Sequence, residues 1–328
     1  MTSFATADQL RHIVQAATLA PSVHNTQPWR FVEREDGVEL HLDPDRQLHV
    51  LDPDARQLHL SCGAALFHAR VAARALGLDL VVQLMTAPGR QEHLADLLVR
   101  QGAPASSAQI RLAAAMLHRR TSRDSFDDRV VPAALLERLR RHAEAEGALL
   151  QQVSKADDLL ELEVLLSRAD AAEERDGAYR DELERWVHVD AAASDGLSGP
   201  AAQATAAGSS FRQRDFTLSR PAVMDGRTPA AEHPAVVVLA TREDDRAAWL
   251  RAGQALASVL LHAADEDVQA QPLGQVTDQL ADRLRLRTVL GLVATPQLVL
   301  RMGYRTEGTD TAASPRRELD EVLTSVRG

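Results

Sequence analysis

The 328-residue chain is 45% hydrophobic with a net charge of −10, which suits a globular core and lacks the basic surplus of a nucleic-acid or anionic-membrane binder. Lys155 is the only lysine, so any phosphate binding falls to arginine. Cys62 is the only cysteine, which excludes an internal disulfide and a cysteine-rich metal site.

In chain order, Leu10, Ile13, Val14 and Ala17 recur at helical spacing and predict a short helix ending near Leu19. A loop with two prolines, Ala20 to Phe31, follows, and Trp29, Phe31 and Val32 begin a strand. Pro28 pushes Gln27 away from helical backbone. Ser22 and Asn25 favour local side-chain bonds, so the loop reads as a rigid turn with exposed N–H groups. Gly37 to Leu42 alternates as a hairpin partner of that strand. Asp52-Pro53-Asp54 leads into a helix from about Ala55 to Leu76, closed by Gly77, with Cys62 on its apolar stripe as a buried thiol.

Leu78 to Met85 reads as a strand, Ile110 to Leu117 as a helix, Pro132 to Ala145 as a helix and Leu149 to Val153 as a strand. Asp157 to Val189 is a long charged helical region. Ala235 to Leu239 is a buried strand, Asp244 to Ala264 and Gln279 to Leu290 are helices, Gln297 to Met302 is a strand, and Pro315 to Val326 is a terminal helix. Asp190 to His233 is rich in Ala, Gly, Ser and Thr, too long for an ordinary connection, and reads as a lid anchored by Phe211, Phe216, Leu218 and Met224, or else as a disordered insertion. No apolar run reaches membrane-spanning length and no secretory pattern opens the chain, so the expected location is cytoplasmic.

Two helices repeat at an offset of 190 residues: Arg56, Leu60, Gly63, Ala65, Leu66 and Ala73 match Arg246, Leu250, Gly253, Ala255, Leu256 and Ala263. Alanine-rich helices resemble one another by chance, but a glycine kept in register costs helix stability and asks for a reason. The expectation is an α+β chain of two copies of one unit fused head to tail.

Three further clusters carry candidate chemistry. Arg119-Arg120-Thr121-Ser122-Arg123 offers bidentate cations and hydroxyls that suit a phosphate, although cations also suit a helix C-terminus. Pro272-Leu273-Gly274-Gln275 is a turn that exposes backbone N–H groups. Ser314-Pro315-Arg316-Arg317 is a basic pair that surface charge alone could explain. Dinucleotide, P-loop, nucleophile-elbow and zincin motifs are absent from the sequence. The twelve histidines are scattered, the paired aspartates at 43/45 and 52/54 read as turns and caps, and no metal site is expected.

The loop Pro21-Ser22-Val23-His24-Asn25-Thr26-Gln27-Pro28-Trp29 resembles the FMN-binding loop of the nitroreductase superfamily, most closely its Acg-like, dormancy-associated branch. The resemblance extends to Arg119–Arg123, which matches the family's R-x-S/T-x-R/K opening with Phe126 one residue later than the pattern. It extends also to Pro272–Gln275, where Leu273 stands in place of the family's common acidic residue, and to Arg316 and Arg317. It covers most of the chain except Asp190 to His233.

The resemblance implies an α+β intramolecular pseudo-dimer of two fused units, each with a mostly antiparallel central sheet flanked by helices: residues 1–118 as the first half, and 119–328 as the second with a lid-like insertion at about 190–233. It implies FMN held by Pro21, Ser22, Val23, His24, Asn25, Arg119, Arg120, Thr121, Arg123, Pro272, Leu273, Gly274, Gln275, Arg316 and Arg317, with no catalytic side chain required. The first half carries the loop and the second carries the other clusters. The converse set is missing, so one flavin site is expected rather than two. The implied activity passes electrons from NAD(P)H to nitroaromatic or quinone-like acceptors, in a monomer or homodimer. Another reading is a catalytically silent FMN-sequestering protein closed by its lid; a third is an interaction protein that binds no flavin.

Overall fold

The computed structural model describes residues 5–87, 89–188, 193–198, 214, 216, 232–306 and 313–325. Helix α1 (Ala7–Thr18) starts at a reciprocal cap. The Thr6 hydroxyl accepts from Gln9 N, and the Gln9 side chain accepts from Thr6 N, so two N–H groups the helix leaves open are satisfied. Its buried stripe is Leu10, Ile13, Val14 and Ala17, as the spacing predicts. Strands β1 (Trp29–Arg34) and β2 (Gly37–Leu42) form the expected hairpin.

Helix α2 (Arg56–Ala75) is buried along nearly its whole length, with Cys62 fully covered and its thiol pushed well up by burial. Asp52 opens this helix by accepting from Gln57 N and Leu58 N, the capping role its turn suggests. Strands β3 (Leu78–Leu84) and β4 (His93–Gln101) complete the antiparallel part of the first sheet.

Helices α3 (Ser107–His118) and α4 (Ala133–Ala145) lead to strand β5 (Leu149–Val153). The long helical region expected over 157–189 is instead two helices, α5 (Ala156–Glu173) and α6 (Gly177–Trp186). Asp176 breaks it, because its carboxylate accepts from Ala178 N and Tyr179 N and starts a new helix. Short strands β6 (Val187–His188) and β7 (Leu197–Ser198) pair in parallel.

Strand β8 (Ala235–Thr241), helix α7 (Arg246–Ala264), strand β9 (Val268–Leu273), helices α8 (Gln275–Asp278) and α9 (Leu280–Val289) and strand β10 (Thr295–Tyr304) follow. The second sheet runs β5-β8-β10-β9, all antiparallel. The terminal helix expected over 315–326 is only one turn, α10 (Leu319–Val322). The chain then becomes strand β11 (Leu323–Ser325), which pairs in parallel with Phe31, Val32 and Glu33. The open edge of β1 claims these residues, so the chain's last strand belongs to the first sheet, in the order β11-β1-β2-β4-β3.

The molecule is thus an α+β fold of two sheet-and-helix units. The repeat explains how they join: α2 and α7 cross at their matched glycines. A Cβ on Gly63 would lie 2.2 Å from the Leu250 carbonyl oxygen, and one on Gly253 would lie 2.0 Å from that of Leu60. The contact is reciprocal, as in a two-fold interface. The matched arginines follow the same rule. Arg56 donates to the Gln297 and Thr277 carbonyls of the second unit, at 2.6 and 2.7 Å. Arg246 donates to His59 Nε2 at 2.9 Å and to the Gln91 carbonyl of the first. Among the described residues no helix is long and apolar enough to cross a membrane.

Candidate functional site

The loop after α1 has left-handed backbone at His24, Asn25 and Gln27 (φ 44°, 54° and 50°), none of them glycine. Such a backbone persists only where its surroundings hold it. Ser22 Oγ accepts from Gln27 N at 2.9 Å, and Val23 N donates to Ser61 Oγ at 3.1 Å. Asn25 Nδ2 donates to the carbonyls of Gly196 and Pro315 at 3.2 and 3.1 Å. The Gln27 amide donates to the Ser194 carbonyl and accepts from Arg317 N, both at 2.9 Å.

The expectation of exposed N–H groups on this loop is narrowed. Those of Val23, Asn25, Thr26 and Gln27 are spent on Ser61 or within the loop itself, which leaves those of Ser22 and His24. The loop also offers side chains. His24 is buried, with Nδ1 unpartnered and Nε2 3.3 Å from Arg214 Nη1. Burial first, and then Arg214 and Arg123, hold it well below the usual histidine range, so it is neutral. Pro21 and Val23 stand partly buried beside it.

The arginine segment runs alongside β9: Thr121 bridges to Ala270, and Ser122 N donates to the Ala270 carbonyl at 3.3 Å. Arg119 is buried, and its Nε and Nη1 have no partner. Burial, then Arg316 and Arg120, lowers it to about 9. Burial, then Arg120, lowers Arg316 to about 10, and its Nε is also unpartnered. His68 of α2 joins this group. Its Nδ1 donates to the Ala64 carbonyl at 3.0 Å, its Nε2 is buried and free, and burial followed by Arg119 lowers it to about 3. Among the described residues no carboxylate forms an ion pair with Arg119, Arg120 or Arg316. Buried cations without a counter-charge are costly unless an anion meets them, so the donor set fits a phosphate.

Arg119 and Arg120 also line a cavity of about 470 Å³, with Arg129, Arg305 and Gln269 on its walls. Arg123 lies with its guanidinium 4.8 Å from the Phe216 ring centre, and the His24 ring meets the same phenyl edge-on at 5.4 Å. Burial, then Arg214, lowers Arg123 to about 10.

The structure thus joins the loop to the basic pair through Asn25–Arg316 (Arg316 Nη1 to Asn25 Oδ1, 3.2 Å) and to the arginine segment through His24–Phe216–Arg123. The Pro272–Gln275 turn approaches them only through Asp278 of α8, which takes Arg214. Pro272 and Leu273 end β9, Gly274 opens α8, and Gln275 is buried in it. Leu273 packs inward on Val276 and Val299. A Cβ on Gly274 would lie 3.3 Å from Asp278 Oδ2, the atom that takes Arg214 Nη2 at 2.5 Å. Arg317 is set apart from the arginine group: it pairs with Asp43 and Glu321, both at 3.8 Å, and ties down Gln27.

Sequence reading missed Gln27 as a support, and His68 and Arg214 altogether. No local pattern marks the last two, whose roles come from tertiary contact alone. Burial opposes the charge of Arg214, but Glu173, Tyr179 and Asp278 together outweigh it. Of the four aromatic and aliphatic anchors expected for the insertion, Phe216 is buried against Leu48, Leu51 and Tyr179, while Phe211, Leu218 and Met224 lie outside the described residues.

The chain matches the model of the Nitroreductase family over residues 2–48 and 116–304. It is 33% identical over 326 residues to a Mycobacterium tuberculosis protein provisionally named NAD(P)H nitroreductase Rv3131, covering 98% of this chain and 93% of that protein. It is 33% identical, again over 326 residues, to the provisionally named NAD(P)H nitroreductase acg of the same organism, covering 97% and 96%. A solved nitroreductase with bound FMN from Desulfitobacterium hafniense overlays with a TM-score of 0.41 at 13% identity, covering 66% of this chain and 98% of that one.

Proposed function

We propose that this chain, which belongs to the nitroreductase family, binds one FMN and passes electrons from NAD(P)H to nitroaromatic or quinone-like acceptors. The observation that carries this reading is the arginine group: buried Arg119 holds two free guanidinium nitrogens and Arg316 a free Nε, its Nη atoms being spent on Asn25 and on carbonyls such as those of Leu19 and Ala20, with no ion-paired carboxylate on Arg119, Arg120 or Arg316 among the described residues. In this reading Arg119, Arg120 and Arg316 hold the phosphate, each contact being a charge-assisted bond, and Thr121 adds a hydroxyl. The loop from Pro21 to Asn25 and the turn from Pro272 to Gln275 flank the cofactor, and Arg123 supplies positive charge. The flavin, when bound, supplies the hydride and electron chemistry. The side chains bind, orient and exclude water, and Arg317 serves by fixing the loop through Gln27.

The units divide at 118/119, with the insertion at about 190–233 acting as a lid. The reciprocal glycine crossing supports an intramolecular pseudo-dimer. A second reading, FMN sequestration without turnover, is favoured by Arg214. Locked by Glu173 and Asp278 and set against His24, it places a charged arm of the insertion beside the loop.

Purified protein mixed anaerobically with NADH or NADPH separates the readings. Loss of the yellow absorbance supports the oxidoreductase. Bleaching by dithionite but by neither nucleotide supports sequestration. A colourless protein that takes up no added FMN contradicts both.

A further inference from the structure

The first sheet carries a cluster outside the arginine site. On β2, Val38, Leu40 and Leu42 face the core, leaving Glu39 and His41 together on the outer face. On β4, Ala95, Leu97 and Val99 face the core and Asp96 looks outward. A register shift between Leu40 and His41 places His41 opposite His93 and Glu39 opposite Asp96. In a regular strand His93 and Asp96, three residues apart, would point to opposite faces. The bulge re-aims His93 onto the face of Asp96.

We propose that Glu39, His41, His93 and Asp96 form a binding site for a divalent transition metal of the zinc class. Ligand atoms of Glu39, His93 and Asp96 already lie within 4.8 Å of one another. His41 Nε2 is 2.8 Å from Glu39 Oε2, and the two imidazoles meet at 5.2 Å between centres. Imidazole and carboxylate donors in this number suit zinc, with bonds of about 2 Å, so the cluster needs only a modest inward movement.

Two observations point to a bound cation rather than a chance grouping. Like charges directly opposite on paired strands are destabilising, yet Glu39 and Asp96 are cross-strand partners. Arg34 forms its fork with Glu39 alone, at 2.7 and 2.9 Å, and meets Asp96 only as a more distant charge, while Asp96 itself is held by the Thr86 hydroxyl and His93 Nε2. A carboxylate has about four lone-pair sites, so that fork leaves room for an ion. Also, His93 is buried and its Nδ1 has no partner. The ring is held by one bond, Nε2 to Asp96 Oδ1 at 2.9 Å, so exchanging that bond for a metal breaks nothing else. None of these residues belongs to the arginine group, so metal and flavin would load independently.

The test is a titration of the chelator-stripped full chain with Zn²⁺ by calorimetry, and with Co²⁺ by visible absorbance. The expected result is one saturable ion per chain with the absorption of low-coordinate Co²⁺, and at least a tenfold loss of affinity in Asp96→Asn and in Glu39→Gln. Asp96 is partly exposed, so its variant should fold; circular dichroism and unchanged FMN content verify this. His93→Ala should lose the site outright. Absence of saturable Zn²⁺ binding by the intact chain overturns the proposal, as does equal affinity in Asp96→Asn.

Discussion

Arg119 stands buried with two free nitrogens among other arginines, a position that costs folding energy and repays it only when an anion arrives. Arg119→Ala should therefore weaken FMN binding by about 1.5–3 kcal/mol, and Arg123→Ala should weaken it too. Arg251→Ala should leave binding unchanged, because Arg251 pairs with Glu243 on a half-exposed helix face. Fluorescence titration with FMN compares them, and equal affinities would remove the arginines from the site. The same reasoning predicts that Arg119→Met raises the urea midpoint of the FMN-free protein while impairing FMN binding. His68 gives a pH signature. Its folded pKa is lowered to about 3, so between about 6.5 and 3 the unfolded chain holds the extra proton and stability falls as pH falls. His68→Gln removes that term. On going from pH 7.5 to 5, the variant should lose about 2 kcal/mol less stability than the parent. Equal losses in urea titrations at the two pH values would show that His68 is not held neutral.

At the scale of elements, the α2–α7 crossing makes the sharpest demand. Gly63→Ala and Gly253→Ala should each destabilise by about 1–3 kcal/mol, because each Cβ meets a backbone oxygen of the facing helix and that backbone must shift. Thermal melts check this, and a neutral Gly63→Ala would mean the helices do not cross there. The repeated glycine was legible as a residue that asks for a reason, but the crossing that supplies the reason was not, because it depends on the partner helix. Helices with clean stripes, such as α1, α4 and α7, were legible from their spacing. Strand β4 was not, because its bulge sets Leu94 and Ala95 both against the core and spoils the alternation. The terminal segment misled because its helical spacing is real for one turn, while the edge of β1 then claims Leu323 to Ser325. Asp176 is an N-cap signal within the charged run, outweighed in the sequence by the helix formers around it.

For the whole molecule, short motifs located the segments that the fold gathers: the loop, the arginines and the final basic pair. They could not divide labour within the pair, because Arg317 is set apart from Arg316 by the distant Asp43 together with Glu321 one turn on, and only the second of these is a local pattern. Nor could they find His68 or Arg214, whose partners lie on other elements. The proposed flavin site is asymmetric, taking the loop from the first half and the arginine segment, the Pro-Gly turn and the basic pair from the second. Its most direct test is the number of flavins per chain. The protein is saturated with FMN, freed of excess by gel filtration and denatured, and the released flavin is measured against protein concentration. A ratio near one is expected; a ratio near two, or no retained flavin, would contradict a single flavin site.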